Sequence, residues 1–436
     1  MPINDTSRVS PFAATLFLLV ATCLLLPVGA LIADSIAIGT GGSLPPEPVV
    51  VSDPLSDTVA ATAAEFRVDE SGAATYSIPI YTVPGTAGVV PTLSFNYSSQ
   101  AGDGAIGKGW SIGGLSSISR CRATREAGDF IVDGVSTDGN PSPIVFTDPD
   151  RYCLDGQRLL RVADGASECP MAGGMEGAPF RTEIESFQRV CAYASSDGAG
   201  PKFFTVERKD GSISWYGDRD QSDSANRPDG YFNSTVPGKE AAALSWAQTR
   251  FQDSTGNYIN FYYWKNANGV YGEHFLGEVQ YTGKKVLPGQ TGSDQAPYAR
   301  IVFNYALLPA ARQAKGYLAG GLLTQAHQLH NVQVISDGQE ARYYRLNYAL
   351  SQTGSNRDTL TSLQECRDSS MQLCLPATTF TWSEGRHEFA TVERPADLTF
   401  ATDHIRGFKT ADINGDGRQD IALLYLAGSG CVGAPG

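Results

Sequence analysis

Between Ala74 and Cys121 apolar and polar positions alternate with a period of two. Tyr76, Ile78 and Ile80 interleave with Thr75, Ser77 and Pro79, and Leu93, Phe95 and Tyr97 interleave with Thr92, Ser94 and Asn96. This alternation predicts two half-buried strands. Pro84-Gly85 and Gly88 punctuate the link between them, and Gly102, Gly104, Gly107, Gly109, Gly113 and Gly114 bracket Trp110. So many residues free to take positive φ around one large ring predict a tightly folded backbone closed on a buried anchor, and they exclude a helix.

From Phe130 to Trp264 short alternating runs are separated by Asp133-Gly134, Asp138-Gly139, Asp155-Gly156 and Asp210-Gly211, dipeptides suited to hairpin turns. One unit recurs loosely. Val206–Tyr216 (VERKDGSISWY), Phe251–Tyr263 (FQDSTGNYINFYY) and Val332–Tyr348 (VQVISDGQEARYYRLNY) each set a polar, Gly-containing turn between two strands, the second rich in aromatics. Unrelated hairpins are the other reading of so short a series. Only Ala241–Trp246 has helical composition, and Ala310–Leu329 is ambiguous. The expected fold class is all-β, built from antiparallel hairpins.

Composition agrees with that pattern. The chain has 436 residues with 47 glycines, and its charged fraction of 18% lies below the usual ~25%, as in turn-rich β structure. At about 150 residues per domain, two or three units are expected. Lys and Arg number 33 against 46 Asp and Glu, a formal charge of −13. That balance argues against nucleic-acid binding, which needs a clustered basic face, and suits contact with cations.

Phe12–Leu26 is a mostly apolar run preceded by Arg8, and Val28-Gly29-Ala30 offers small residues for cleavage. This reads as a secretory signal peptide over residues 1–30. An uncleaved anchor is the competing reading, but Pro27 and Gly29 cut the run short of the ~20 residues a span needs. The stretch after it, residues 31–64, is rich in Gly, Pro and Ser around Thr40–Pro54 and reads as a flexible linker, with the folded part starting near Glu65. Export permits disulfides. Beyond Cys23, the cysteines form no CxxC pair. Sequence neighbours close short loops, so the expected bridges are Cys121–Cys153, Cys169–Cys191 and Cys366–Cys374, with Cys431 unpaired.

Several constellations raise the question of catalysis. Gly109-Trp110-Ser111-Ile112-Gly113 satisfies G-x-S-x-G, yet a nucleophile elbow needs a helix after the serine, and a Gly-Gly pair and a strand pattern follow instead. Gly102–Gly107 satisfies G-x-G-x-x-G without the βαβ setting of a dinucleotide site, and reads as a turn. Glu183-Ile184-Glu185 has the Glu-x-Glu spacing of ADP-ribosyltransferases. His327 and His330 are three apart and would share a helix face, but lack further metal ligands nearby. No catalytic residue is assigned from any of these.

The strongest chemical signal is Asp412-Ile413-Asn414-Gly415-Asp416-Gly417-Arg418-Gln419-Asp420. Side-chain oxygens of Asp412, Asn414, Asp416 and Asp420, Gly417 for a sharp turn and the backbone carbonyl of Arg418 make a donor set for a hard cation such as Ca²⁺. Leu423 stands where an EF-hand needs Glu, and Ile421–Leu426 is an apolar run fit for a strand. A metal-free Asx turn is the other reading.

The segment SIPIYTVPGTAGVVPTLSFNYSS followed by GDGAIGKGWSIGGLSSISRC resembles the opening of the SpvB-type domain, found in SpvB virulence proteins and in the TcdB-like B components of insecticidal toxin complexes. RYCLDGQRL (Arg151–Leu159), FRTEIESF (Phe180–Phe187), KDGSISWYG (Lys209–Gly217) and CLPATTFTW (Cys374–Trp382) extend the resemblance in order. The strand-turn-strand units resemble those of Rhs proteins, and GFKTADINGDGRQDIALLY (Gly407–Tyr425) resembles an FG-GAP or VCBS propeller repeat. The resemblance implies an SpvB-like β domain over 65–395 and the first strands of a β-propeller over 396–436. It also puts TEIESF in a non-transferase domain, where a strand with alternating charges is expected. The function implied is that of a secreted, non-catalytic protein that forms part of a β shell and a docking face for protein partners, including other toxin-complex subunits. Two further classes stay open: an extracellular, calcium-dependent adhesion or ligand-binding propeller protein, and an enzyme built on one of the constellations above.

Overall fold

The computed structural model describes residues 60–122, residues 151–382 except 163–167, 173, 195–199, 218–229, 234, 241, 266–271, 319 and 351–356, and the segments 405–411 and 420–425. Among these residues there is no α-helix, and the architecture is antiparallel β throughout, as the alternation predicts.

The first layer contains β1 (Glu65–Val68), β2 (Ala74–Pro79), β3 (Ser94–Ser98), the two-residue strands β4 (Asp103–Gly104) and β5 (Gly107–Lys108), and β6 (Trp110–Gly113). β1-β2-β3-β6 pair in that order, while β4 and β5 form a small hairpin of their own. The period-two alternation is obeyed: Ile78, Ile80, Leu93, Phe95 and Trp110 are buried, whereas Ser77, Asn96 and Ser111 lie on the other face.

A much larger sheet follows. Its first part comprises β7 (Ser117–Cys121), β8 (Arg151–Leu154), β9 (Gln157–Arg161), β10 (Gly177–Thr182), β11 (Arg189–Ala194), β12 (Pro201–Glu207), β13 (Ile213–Gly217), β14 (Tyr231–Asn233) and β15 (Ala243–Gln252). Adjacent strands from β7 to β13 pair in sequence order. The long strand β15 then serves two neighbours on one edge: its first half pairs with β7, Trp246 opposite Ile118, and its second half with β13, Ile213 opposite Gln252. The circuit closes into a barrel filled by Ile118, Leu154, Leu159, Val190, Phe204, Val206, Tyr216, Ala243 and Trp246. The helical composition of Ala241–Trp246 is thus overruled, because Ala243 is fully buried in the barrel and Trp246 is its central ring; tertiary pairing outweighs the ~1 kcal/mol scale of intrinsic preference.

The second part runs open from the barrel: β16 (Asn257–Lys265), β17 (His274–Lys284), β18 (Ala299–Leu307), then the separate hairpin β19 (Ala314–Leu318) and β20 (Gly321–Gln325), then β21 (His327–Ser336), β22 (Gln339–Leu350), β23 (Asp358–Cys366) and β24 (Thr378–Thr379). The ambiguous Ala310–Leu329 therefore resolves into a 3-10 turn and three strands. The three strand-turn-strand units correspond to the hairpins β12–β13, β15–β16 and β21–β22. The first layer packs onto this open part, joining Ile78, Phe95 and Trp110 to Val279, Ile301, Val332, Leu346 and Leu363 in one core. Lastly, β25 (Ile405–Ala411) and β26 (Asp420–Tyr425) form an antiparallel pair.

All three expected disulfides are present: Cys121–Cys153, Cys169–Cys191 and Cys366–Cys374. The first ties β7 to β8. The second pins the segment around Cys169 to the outside of β11, over the stacked rings of Tyr193 and Phe203.

Candidate functional site

Asp412, Asn414, Asp416 and Arg418 lie outside the described residues; Asp420 opens β26. What the structure does show is the frame of that loop. Ala411 stands opposite Asp420 at the open end of β25–β26, so the oxygen-rich stretch links two paired strands rather than two helices. Among the described residues no group of three His, Cys, Asp or Glu side chains is placed to hold a metal.

Each constellation that raised the question of catalysis falls into an ordinary structural position. Ser111 is exposed in the middle of β6, opposite Asn96, and no helix follows it. It lines a groove of about 320 Å³ on the outer face of the first sheet with Thr75, Ser77 and Asn96, and no histidine is among the lining residues. Asn96 Oδ1 there accepts bonds of 2.8 Å from both Ser77 Oγ and Ser94 Oγ. Without a base beside it, the Ser111 hydroxyl stays a weak nucleophile. Gly102–Gly107 is the β4–β5 turn, docked against β21 and the start of β23: Leu329 N donates to Ala105 O at 2.7 Å, and a Cβ on Gly107 would stand 2.8 Å from Asp358 O.

Glu183-Ile184-Glu185 is not a strand. It forms the exposed bend between β10 and β11, where Phe187 takes φ of 55° and its amide donates to Glu185. The turn polarity of Glu, Ser and Gln here prevails over the alternation. His327 and His330 do not share a helix face either. They lie on β21, where odd spacing sends His327 into the interior and His330 outward.

The buried polar arrangement that sequence reading missed joins Glu273, just before β17, to β21. Glu273 and His327 are both buried, and Glu273 Oε2 lies 2.6 Å from His327 Nδ1. The other carboxylate oxygen accepts from Ala326 N, His327 N and Gln325 Nε2 at 2.8, 2.7 and 2.7 Å. A buried carboxyl group with this many hydrogen-bond partners is a structural clasp. No sequence spacing announces it, since 54 residues separate the partners.

Two tyrosines latch the first layer to the large sheet. Tyr344 Oη accepts from Tyr81 N at 2.9 Å, and Tyr281 Oη from Val83 N at 3.0 Å. Burial pushes both phenols well above the usual tyrosine range. Beside them Arg342 lies over the Tyr81 ring and 3.3 Å from Glu365; burial raises the Glu365 carboxyl while Arg342 pulls the other way. These groups position layers and offer no reacting atom an open approach.

Comparison with known proteins bears on the fold. Residues 68–128 match the family model SpvB, described as Salmonella virulence plasmid 65kDa B protein. No curated protein matches. Among solved structures, TcdB2-TccC3 is similar with a TM-score of 0.61 at 15% identity, over 84% of this chain and 19% of that chain. The Tc holotoxin pore of Photorhabdus luminescens gives 0.53 at 16% identity, over 83% and 18%. The N-terminal domain of effector protein SpvB from Salmonella typhimurium gives 0.49 at 16% identity, over 67% of this chain and 100% of that one. The chain thus spans about a fifth of the length of the TcdB2-TccC3 chain it matches. It carries an SpvB-like, TcdB-like domain.

Proposed function

We propose that this SpvB-like, TcdB-like domain is a non-catalytic, exported wall element of a toxin-complex B-like, Rhs-related protein, forming part of a β shell that encloses a toxic segment. The observation that carries the reading is the one 16-stranded antiparallel sheet, closed at one end and open at the other. Its face towards the first layer is dry, with Ile301, Val332 and Leu346 buried. Its opposite face carries a polar ladder of amides and a carboxylate: Asn304 Nδ2 donates to Asn331 Oδ1 and Gln333 Oε1 at 2.8 and 3.1 Å, and Gln280 Nε2 to Glu278 Oε1 at 2.9 Å. Such a wall keeps its shape through its dry face and offers a polar, non-adhesive surface on the other. Among the described residues β24 covers β23 only at Ser362 and Leu363, which leaves an edge able to accept further strands. The positions of Ser111, Gly102–Gly107 and Glu183–Glu185 support a role without catalysis.

The hairpin β25–β26 supports a further part of the reading, that the segment from residue 396 onward is a propeller repeat whose loop holds Ca²⁺ through Asp412, Asn414, Asp416, the Arg418 carbonyl and Asp420, as part of a face that docks protein partners. Calorimetry with calcium chloride, using Asp416→Ala as the control, tests the loop; binding that survives the substitution rejects it. The shell reading is tested by purifying the chain from the cells that secrete it. A complex with a Rhs- or propeller-containing polypeptide, in which a third segment resists protease, is expected. Recovery as a lone monomer with esterase or transferase turnover overturns it.

A further inference from the structure

The barrel ends, where β8 begins and β9 finishes, in a cavity of about 630 Å³. Register sets Arg120 opposite Tyr152, Tyr152 opposite Leu159, and Arg161 opposite Phe180. Strand alternation therefore puts Arg120, Tyr152, Arg161 and Phe180 on the face that encloses the barrel core. Tyr152 and Phe180 meet edge to face with centroids 6.0 Å apart, and with Leu159 they give the cavity an apolar floor. Arg161 lines it from this inner face, while Arg151 and Arg158, on the other face of their strands by the same register, border its rim; no acidic residue is among the described residues that line it. In a chain with a formal charge of −13, this concentration of arginine runs against the general balance.

A further guanidinium lies behind one wall. Arg120 is 5% exposed, its Nε donates to Ala243 O at 2.6 Å, and its Cζ is 5.8 and 5.7 Å from the rings of Tyr152 and Trp246. Gly200, which lines the cavity, has φ of 99°, and a Cβ on it would stand 2.7 Å from Arg120 Nη2. A side chain at this position would crowd the guanidinium, and glycine leaves it room to reach the cavity wall.

We propose that this barrel mouth binds a small organic anion, one that carries a phosphate or carboxylate group on a flat apolar body. A guanidinium fork matches either group through paired hydrogen bonds, and an aromatic floor holds a flat body. The cavity has the size usual for small-molecule sites, and barrel mouths are frequent places for them. This site is independent of the shell reading and stands or falls separately from it.

The test is calorimetry on the purified chain with adenosine monophosphate, benzene-1,3,5-tricarboxylate and inorganic phosphate. One of the two flat probes should bind with a submillimolar Kd, and inorganic phosphate, lacking a body, more weakly. Whichever flat probe binds tighter tells phosphate from carboxylate recognition. Arg161→Gln, at an exposed position, should weaken binding by about tenfold or more, while Arg67→Gln on the first sheet should leave it unchanged; melting temperatures of both variants check folding. No heat from any probe up to ~10 mM, an affinity too weak to matter, overturns the proposal. So does equal binding by Arg161→Gln, or binding confined to an acidic peptide such as hexaglutamate.

Discussion

The rings of Trp110 and Phe380 meet edge to face, with centroids 4.9 Å apart and planes at 62°. One closes the glycine-rich stretch of the first layer and the other follows β24. Tyr76 and Tyr97 pack on the same indole, and Trp382 reaches Tyr97 while its Nε1 donates to Leu360 O at 2.8 Å. The segment after β24 thus folds back to seal the first layer.

Trp110→Ala should cost ~3–5 kcal/mol as the truncation of a buried aromatic, and Phe380→Ala a similar though smaller amount. Because the two rings touch, the double variant should cost less than the sum. Denaturant unfolding measures all three. Ser111→Ala, one residue on but on the solvent side of β6, should leave stability within about 0.5 kcal/mol of the parent.

Tyr281→Phe should cost ~1–3 kcal/mol, because it leaves the Val83 amide buried without its acceptor while changing packing little. Tyr298, 40% exposed, provides the comparison, and Tyr298→Phe should be nearly neutral. The same burial predicts alkaline behaviour. The folded-state pKa values of Tyr281 and Tyr344 are raised, so their contribution is complete below pH ~10 and is lost as pH rises above it. Phenolate absorbance should therefore show these two titrating together with unfolding.

Three turns share an Asp-x-Ser pattern in which the serine caps the carboxylate: Asp69 with Ser71, Asp210 with Ser212 and Asp368 with Ser370. Hydrogen bonds from these serines lower each carboxyl below the usual Asp value. A depressed folded pKa stabilises above the unfolded value and fades as pH falls through the folded one, so this contribution should begin to fade below pH ~4 and be gone once pH falls below the lowered folded values. Ser71→Ala should move the acid-unfolding midpoint upward; an unchanged midpoint refutes the assignment.

The three disulfides close loops of 32, 22 and 8 residues. Chain entropy ranks their stabilisation in that order, at ~4, ~3 and ~2–3 kcal/mol. Paired Cys→Ser replacements should lower the melting temperature most for Cys121–Cys153 and least for Cys366–Cys374, and the reverse order would show that denatured-state entropy does not govern them.

Much of this was legible where a local signal sufficed. Asp155-Gly156 and Asp210-Gly211 both make hairpin turns, with Asp155 at φ of 49° and Gly156 and Gly211 at 83° and 81°, because positive φ selects Asp and Gly wherever they occur. Cys121 and Cys153 paired because adjacent strands brought them together, and the other two bridges join a strand to a nearby irregular segment. What escaped was set by partners remote in sequence. Ala243 and Trp246 looked helical until β7 and β14 gave them a sheet. The Glu273–His327 clasp depends on β17 and β21 converging, which no window of residues contains. The arginines at the barrel mouth come from the consecutive strands β7, β8 and β9; what no local window shows is the cavity they border, whose other walls come from β10, β11 and β12.

That closure also orders events in time. β7 is made early, yet the strand that completes its pairing, β15, follows only after β8 to β13 have been laid down. Hairpins form in microseconds, but a ring that waits for a distant strand must meet a large loop-closure cost first. Until β15 arrives, β7 presents an open edge to any neighbouring chain. The Cys121–Cys153 bridge, which needs only β7 and β8, can be sealed before then, and so keeps the waiting strand aligned for the partner that comes last.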